Sequence, residues 1–259
     1  PFTPLSLPQL LTGGNFNGAT GVEVENGVVK LTGSGVKIPN DAGTAIVSNQ
    51  VDVSGEAGGT VNVLGEKVGI IGGNINVSGQ NAGGTALIGG DYKGEGTVPN
   101  AKTTFISQDS TIKADAEVAG NGGKVIAWAD KTTVFKGKIS ARGGKTSGDG
   151  GFVEVSGKEN LGFDGFVDVG ADFGEGGKLL LDPATVIIDT GLTANDSVQL
   201  EDQEILFADP GVDNVTFSIS PSTVIDALKN GDVTIEATDN IDVNSGILES
   251  RVAENYSDL

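Results

Sequence analysis

The sequence predicts an all-β fold, a parallel β-helix with three faces per turn (a three-faced β-solenoid). Three observations carry that prediction. A double glycine recurs immediately before a short apolar strand, in GGTVNV at 58–63, GGTALI at 83–88, GGKVIA at 122–127, GGFVEV at 150–155 and GGKLLL at 176–181. Upstream of each lies a second strand, VDV at 51–53, INV at 75–77, IKA at 112–114, ISA at 139–141 and VDV at 167–169, in which an apolar residue flanks a polar one on both sides. Glycine is abundant, at 42 of 259 residues, while aromatics make up 5%. Narrow β-coils are filled by small aliphatics and need little aromatic mass, whereas a globular enzyme core uses more.

A third, looser strand precedes each pair, in AIVS at 45–48, VGII at 68–71, TFIS at 104–107, TVFK at 133–136 and LGFD at 161–164. Successive double glycines are 25, 39, 28 and 26 residues apart, so three strands fit a turn of about 25 residues, as in a repeat coil. Period-two alternation in the middle strand sends Val51/Val53, Ile75/Val77, Ile112/Ala114, Ile139/Ala141 and Val167/Val169 into the lumen. Asp52, Asn76, Lys113, Ser140 and Asp168 then face water. One turn cannot bury its own inner face, so stability must come from stacking on neighbours. The glycines belong at corners, where φ is positive or backbones pass closely.

The chain divides into three parts. Residues 1–43 are a lead-in and the first turns of the coil. Pro1 to Gln9 holds three of the eight prolines and should be extended, and Asn26-Gly27 between two alternating strands signals a hairpin or a corner. Residues 44–183 carry the glycine-rich repeats. The 39-residue gap contains a loop insertion, roughly 89–101 (GGDYKGEGTVPNA), that should leave the coil and return at Thr103. Residues 184–259 are an acidic continuation or lateral cover. From 179 onward 81 residues carry four glycines, with 2 basic against 16 acidic side chains. STVIDALKN at 222–230 reads as a short helix packed outside the coil, with Ser222 as N-cap and Gly231 at its stop.

Composition narrows the chemistry. The chain has no Cys, His or Met, which removes disulfides, thiol nucleophiles and imidazole acid/base catalysis. A net charge of −19 repels phosphate and argues against nucleic-acid partners. No apolar run approaches the roughly 20 residues of a membrane span. Starting at Pro1, the chain reads as a piece of a longer precursor. No cofactor is expected. Weak calcium binding in the acidic third is a candidate, but GDGG at 148–151 is not a tandem calcium-roll repeat.

Two sets of residues stand out as sites. In the first strand the outward positions are Asn62, Leu87, Ile126, Glu154 and Leu180, three of them aliphatic, with Trp128 nearby. Leu87, Ile126, Trp128 and Leu180 therefore form a candidate contact face, to be covered by the 89–101 loop, by the helix or by another chain. Asp91, Tyr92, Lys93 and Glu95 form a candidate binding loop at the insertion, where repeat arrays often bind partners. No catalytic or metal-ligating set emerges. Some β-helices cleave acidic polysaccharides with carboxylates on adjacent rungs, and this is the alternative function, although the middle outer column shows no such cluster. Glu154, Asp149 and Arg142, gathered among glycines in 142–154, read as corner and outer-face variants of one rung.

The phrases VDVSG at 51–55, GGTVNVLGEKVGIIGGNINVSG at 58–79, GGTALIGGDYKGEGTVPNA at 83–101, GNGGKVIAWAD at 120–130, ISARGG at 139–144, GDGGFVEVSGK at 148–158 and GKLLLDP at 177–183 together resemble bacterial exoproteins of the filamentous haemagglutinin type. DVTIEATDNIDVNSGI at 232–247 resembles them more loosely, and the match is most like the cyanobacterial versions. The resemblance implies a right-handed parallel β-helix and a secreted, cell-surface or extracellular structural or adhesive stalk with no enzyme activity. It also implies export through an outer-membrane two-partner-secretion transporter, and contacts with surface glycans or with further copies in a filament. It carries over no catalytic residues, and 1–43 lacks a clear secretion domain.

Overall fold

The computed structural model describes residues 21–25, 28–32, 43–188, 217–219, 221–237 and 239–243. Three parallel sheets wrap around one lumen, so the chain is a parallel β-helix. The first sheet stacks β5 (Thr60–Val63), β8 (Thr85–Ile88), β11 (Lys124–Ala129), β14 (Phe152–Gly157), β17 (Gly177–Leu181) and β20 (Gly231–Ile235). The middle sheet stacks β4 (Gln50–Asp52), β7 (Asn74–Asn76), β10 (Thr111–Lys113), β13 (Lys138–Ser140) and β16 (Phe166–Asp168). The third stacks β3 (Thr44–Val47), β6 (Lys67–Ile70), β9 (Thr103–Ile106), β12 (Thr132–Phe135) and β15 (Asn160–Phe163).

The register is the one the repeats dictate. Thr60, Thr85, Lys124, Phe152 and Lys178, each the residue after a double glycine, lie one above another. Val51, Ile75, Ile112, Ile139 and Val167 form a lumen column, with Asp52, Asn76, Lys113, Ser140 and Asp168 beside it outside. The middle strands begin one residue earlier than the alternation suggests, and their ladders run on beyond the strand end. The amide of Val53, for example, donates to Asn76 O at 2.9 Å.

The lumen is filled by aliphatics from all three faces, among them Ile70, Ile75, Ile88, Ile106, Ile112, Ile139, Leu179 and Leu181, all buried. Phe135 and Phe163 stack there on adjacent rungs with ring centroids 5.2 Å apart. Two polar side chains share this interior. Thr104 and Thr133 are fully buried, and their hydroxyls donate to Trp128 O at 2.6 Å and Ser156 O at 2.7 Å, which meets the demand that buried polar groups be paired.

The double glycines are explained by clearance between turns rather than by positive φ. A Cβ on the first glycine of a pair would strike a carbonyl of the middle-sheet corner next to it: Val77 O at 2.0 Å from Gly58, Ala114 O at 2.0 Å from Gly83, Val169 O at 1.8 Å from Gly150. A Cβ on the second would strike the preceding turn, with Gly84 O and Gly123 O each 2.1 Å from Gly123 and Gly151 respectively. In the stacked turns the two positions are closed from the two neighbouring turns, whereas a Cβ on Gly59, in the first of these turns, would meet only Val53 at 3.0–3.1 Å.

The two ends depart from the simple repeat. β1 (Gly21–Glu25) and β2 (Val28–Thr32) pair antiparallel, with Glu25 opposite Val28, unlike the parallel stacking of the coil; Asn26-Gly27 between them lies outside the described residues. Beyond β17 the coil continues: β20 pairs with β17, and β18 (Thr185–Ile188) pairs in parallel with β19 (Phe217–Ile219) and β21 (Asn240–Val243). The helix α1 spans Pro221–Leu228. Ser222 therefore lies inside its first turn and is not the N-cap. Proline suits the helix start because that turn leaves its N–H groups unpaired anyway. Nor does α1 pack outside the coil: Val224 is buried within the lumen cluster, with Ala227 and Leu228 packed against it. It contacts β16 and β20 and follows β16 in the middle column, where a helix's apolar stripe can close a lumen that a further strand would prolong. The Pro1–Gln9 lead-in and most of the acidic third from 189 on lie outside the described residues.

Candidate functional site

The most elaborated part of the surface is the outer side of the first sheet. Alternation turns Asn62, Leu87, Ile126, Glu154 and Leu180 away from the lumen, stacked in that order. Outward does not mean wet here. Leu87, Ile126 and Leu180 are 7%, 0% and 4% exposed, and Glu154 is fully buried. The cover is the chain's own insertion between β8 and β9. Val98 and Phe152 pack against a cluster of Leu87, Ile126 and Trp128, separate from the lumen core. Leu87, Ile126 and Trp128 of the candidate contact face thus meet the insertion of the same chain.

Glycine lets the insertion lie this close. Gly94, at φ +67°, sits on the Trp128 indole, where a Cβ would come within 2.7 Å of the ring. The loop leaves β8 through Gly89, at φ +79°, and Ala101 N returns to Gly89 O at 2.6 Å. A short 3-10 turn, Tyr92–Gly94, forms its tip, with the Asp91 carboxylate accepting from Tyr92 N at 2.7 Å. Lys93 takes the left-handed conformation, φ 53° and ψ 20°, unusual for a residue with a side chain.

The candidate binding-loop residues serve mainly as anchors. Asp91 pairs with Lys124 of β11 at 2.7 Å, and that hydrogen bond holds its carboxyl below the usual range. The Tyr92 ring meets Phe152 edge-on at 5.8 Å and is 42% exposed. Lys93 uses both ends. Its amide donates to the two Glu154 carboxyl oxygens at 3.2 and 3.1 Å, while its ammonium contacts Glu236 at 2.5 Å and lies 4.0 Å from Asp182. Glu95 is exposed. At the far side Asn100 Nδ2 donates to Gly94 O at 2.9 Å and to Asp130 at 3.0 Å, and Asp130 also accepts from Trp128 Nε1 at 3.1 Å. Asn100 Oδ1 is buried with no donor.

Electrostatically the centre is Glu154. Burial pushes its carboxyl up to about 7 against the donated Lys93 amide, with the Asp182 charge adding to the rise. Burial also raises Asp182, while Lys93 is raised above its ordinary value chiefly by its hydrogen bond to Glu236. Lys93 is thus met by three carboxyls drawn from three separate stretches, Glu236 and Asp182 at its ammonium and Glu154 at its amide. Reading by column picks out Glu154 as an outward residue between aliphatics, and that is the signal that it is special. Nothing in the local sequence links it to Lys93, Asp182 or Glu236.

Two clefts lie elsewhere. One of about 390 Å³ opens between the 142–176 corner and α1, lined by Arg142, Leu228, Asn230 and Asp232. Its Arg142 is already engaged, with Nη1 donating to both Asp168 oxygens at 2.8 Å and Nη2 to Asp172 at 2.8 Å. The other, about 560 Å³, is an open groove along the double-glycine corner, edged by Lys124, Phe152 and Lys178 on one side and Asn121, Asp149 and Glu175 on the other. Neither contains Glu154, Asp182 or Glu236. Among the described residues no group of three or more acidic side chains is placed to hold a metal ion, and no helix is long and apolar enough to cross a membrane. No protein-family model matches the chain, and no curated protein matches it.

Proposed function

We propose that the chain is a structural and adhesive stalk segment of a secreted bacterial cell-surface exoprotein of the filamentous haemagglutinin type, without enzymatic activity of its own. The observation that supports this reading most is the unbroken register of turns around a lumen filled to the axis. Such a stack is stiff along its length and leaves its outer columns free to vary. On this reading the chain reaches the surface through an outer-membrane two-partner-secretion transporter. It then meets surface glycans through its outer faces, or further copies of itself by edge-to-edge strand pairing. Negative-stain imaging of the chain tests it. Uniform short rods support a stalk and long fibres a self-assembling filament, whereas compact particles sink both.

The grouping of Glu154, Asp182 and Glu236 around Lys93 favours one second reading, a polysaccharide lyase or hydrolase. A carboxyl ionising near neutrality beside another carboxyl is suited to general acid work. Incubation with acidic and neutral polysaccharides, following new reducing ends and unsaturated products, decides it. Activity lost in Glu154→Gln establishes the enzyme, and its absence across the panel removes this reading.

A further inference from the structure

The third face breaks the order of the coil beyond β15. From β3 to β15 every turn follows one rule: the strand after a first-sheet strand lies on the third-sheet strand of the turn before. Apart from the 89–101 insertion, the corners that do this are short, 64–66, 130–131 and 158–159. β18 follows β17 across an equally short corner, 182–184, so by the same rule it belongs on β15. It is not there. β19 lies against β15, β18 pairs with the far side of β19, and β21 pairs with the far side of β18.

The turn next to β15–β16–β17 is complete without β18. β19 supplies its third face, α1 its middle face against β16, and β20 its first face on β17. Ile219 and Val224 are buried in the lumen cluster, with Ile235 packed against it, so strand, helix and strand close this turn. β21 follows β20 and by the coil rule belongs on β19. β18 is thus an extra strand, wedged into a slot between β19 and β21. Both walls of the slot run parallel to it, with Val186 matching Phe217 and Ile241, and Ile187 matching Ser218 and Asp242.

The tether on each side of β18 bears on which copy fills the slot. To reach it, 182–184 climbs one strand spacing, about 4.8 Å, beyond what the sister corners climb. It does so with no more residues than the 64–66 corner. A short hinge that overreaches in this way is relieved when its strand passes straight on into a neighbouring copy. On the other side, 189–216 exceeds the roughly dozen residues that a parallel crossover needs, so β19 still returns to its own coil. A lone copy fills the slot with its own strand. We propose that β18 is an exchange strand: two copies of this chain meet at this end, and each places its Thr185–Ile188 strand between β19 and β21 of the other. This gives the self-association reading above a defined contact and rests on that reading.

The chain has no cysteine, so disulfide trapping has no background. Register partners on neighbouring strands lie within disulfide reach, whereas β15 and β18, two spacings or about 10 Å apart, do not. Ile187→Cys and Ser218→Cys, each made as a separate variant, are mixed in urea, refolded together and oxidised. Up to about half of the chains should be caught in 187–218 disulfides between copies, the share that random pairing into dimers sets. A mixture of Ile187→Cys with Gly162→Cys should give at least about tenfold fewer. Light scattering should find the native chain dimeric. A Gly-Ser-Gly-Ser segment inserted after Ala184 should shift it to monomer, because a longer hinge lets each strand fold home. A native monomer at every concentration overturns the exchange, as do dimers without the 187–218 link or dimers that the insertion leaves unchanged. Monomers that image as uniform rods would sink the exchange alone and leave the stalk standing. Should a cysteine variant not fold, hydrogen exchange of the native chain decides. Protection of β18 and β21 should rise with concentration, and constant protection overturns the proposal.

Discussion

Gly151→Ala places a methyl group where the structure has no room. The added Cβ would lie 2.1 Å from Gly123 O and 2.7 Å from the Gly122 carbonyl carbon, both backbone atoms of the preceding turn. Relief needs a shift of about 1 Å to restore ordinary van der Waals contact. The Gly123 oxygen is not free to move, because it accepts the Phe152 amide at 2.9 Å, one of the bonds that couple the two turns. Loss of that bond costs about 1 kcal/mol, and forcing atoms into a packed interior costs about 1–3 kcal/mol. The substitution should therefore destabilise the coil by about 2–4 kcal/mol. Gly162→Ala is the matched control. The nearest atoms to its Cβ would be the Val134 γ-carbons at 3.7 Å, an ordinary contact, and its φ is not left-handed. That change should be neutral or stabilising by up to about 1 kcal/mol, through the reduced freedom of the unfolded chain. Urea unfolding of both variants, with hydrogen exchange of β11 and β14 to catch local opening, measures the difference. If Gly151→Ala falls within about 0.5 kcal/mol of Gly162→Ala, clearance between turns is not why the glycines are paired.

Three further predictions concern the interior and the buried Glu154 carboxyl. Phe135→Ala removes a fully buried ring and its partner contact with Phe163, and should cost about 3–5 kcal/mol in denaturant unfolding. Thr133→Val keeps the shape but leaves Ser156 O without its buried donor, a loss of about 1–2 kcal/mol by the same assay, with Thr133→Ser recovering part of it. Glu154→Leu removes a carboxyl whose burial is unfavourable when charged. Since a shift from 4.5 to about 7 corresponds to about 3 kcal/mol, the variant should gain stability over the native chain at pH 8.5 by up to that amount. It should gain little at pH 4.5, where Glu154 is largely neutral. Equal differences at both pH values would refute the assignment of the pH dependence to this carboxyl.

The repeat itself was legible in the residues. Val51, Ile75, Ile112, Ile139 and Val167 stack as the alternation requires, because a period of two leaves only one register that turns all five toward the lumen. The double glycines mark the turns because a Cβ there meets backbone above or below, a constraint that recurs wherever a turn is stacked on both sides. The same reasoning located Leu87, Ile126, Glu154 and Leu180 in one outward column. What it could not decide was whether that column meets water. The answer depends on where the 89–101 insertion comes to rest, and that is set by contacts far apart in sequence: Lys93 with Glu154 across 61 residues and with Glu236 across 143. The lumen closure by Val224 of α1 is of the same kind, since the strand-to-helix change reads locally but its packing place does not. Alternation therefore sets which way each side chain points. Only the folded chain decides what it meets there, and with it whether Glu154 is one more outer residue or a buried carboxyl that ionises near neutral pH.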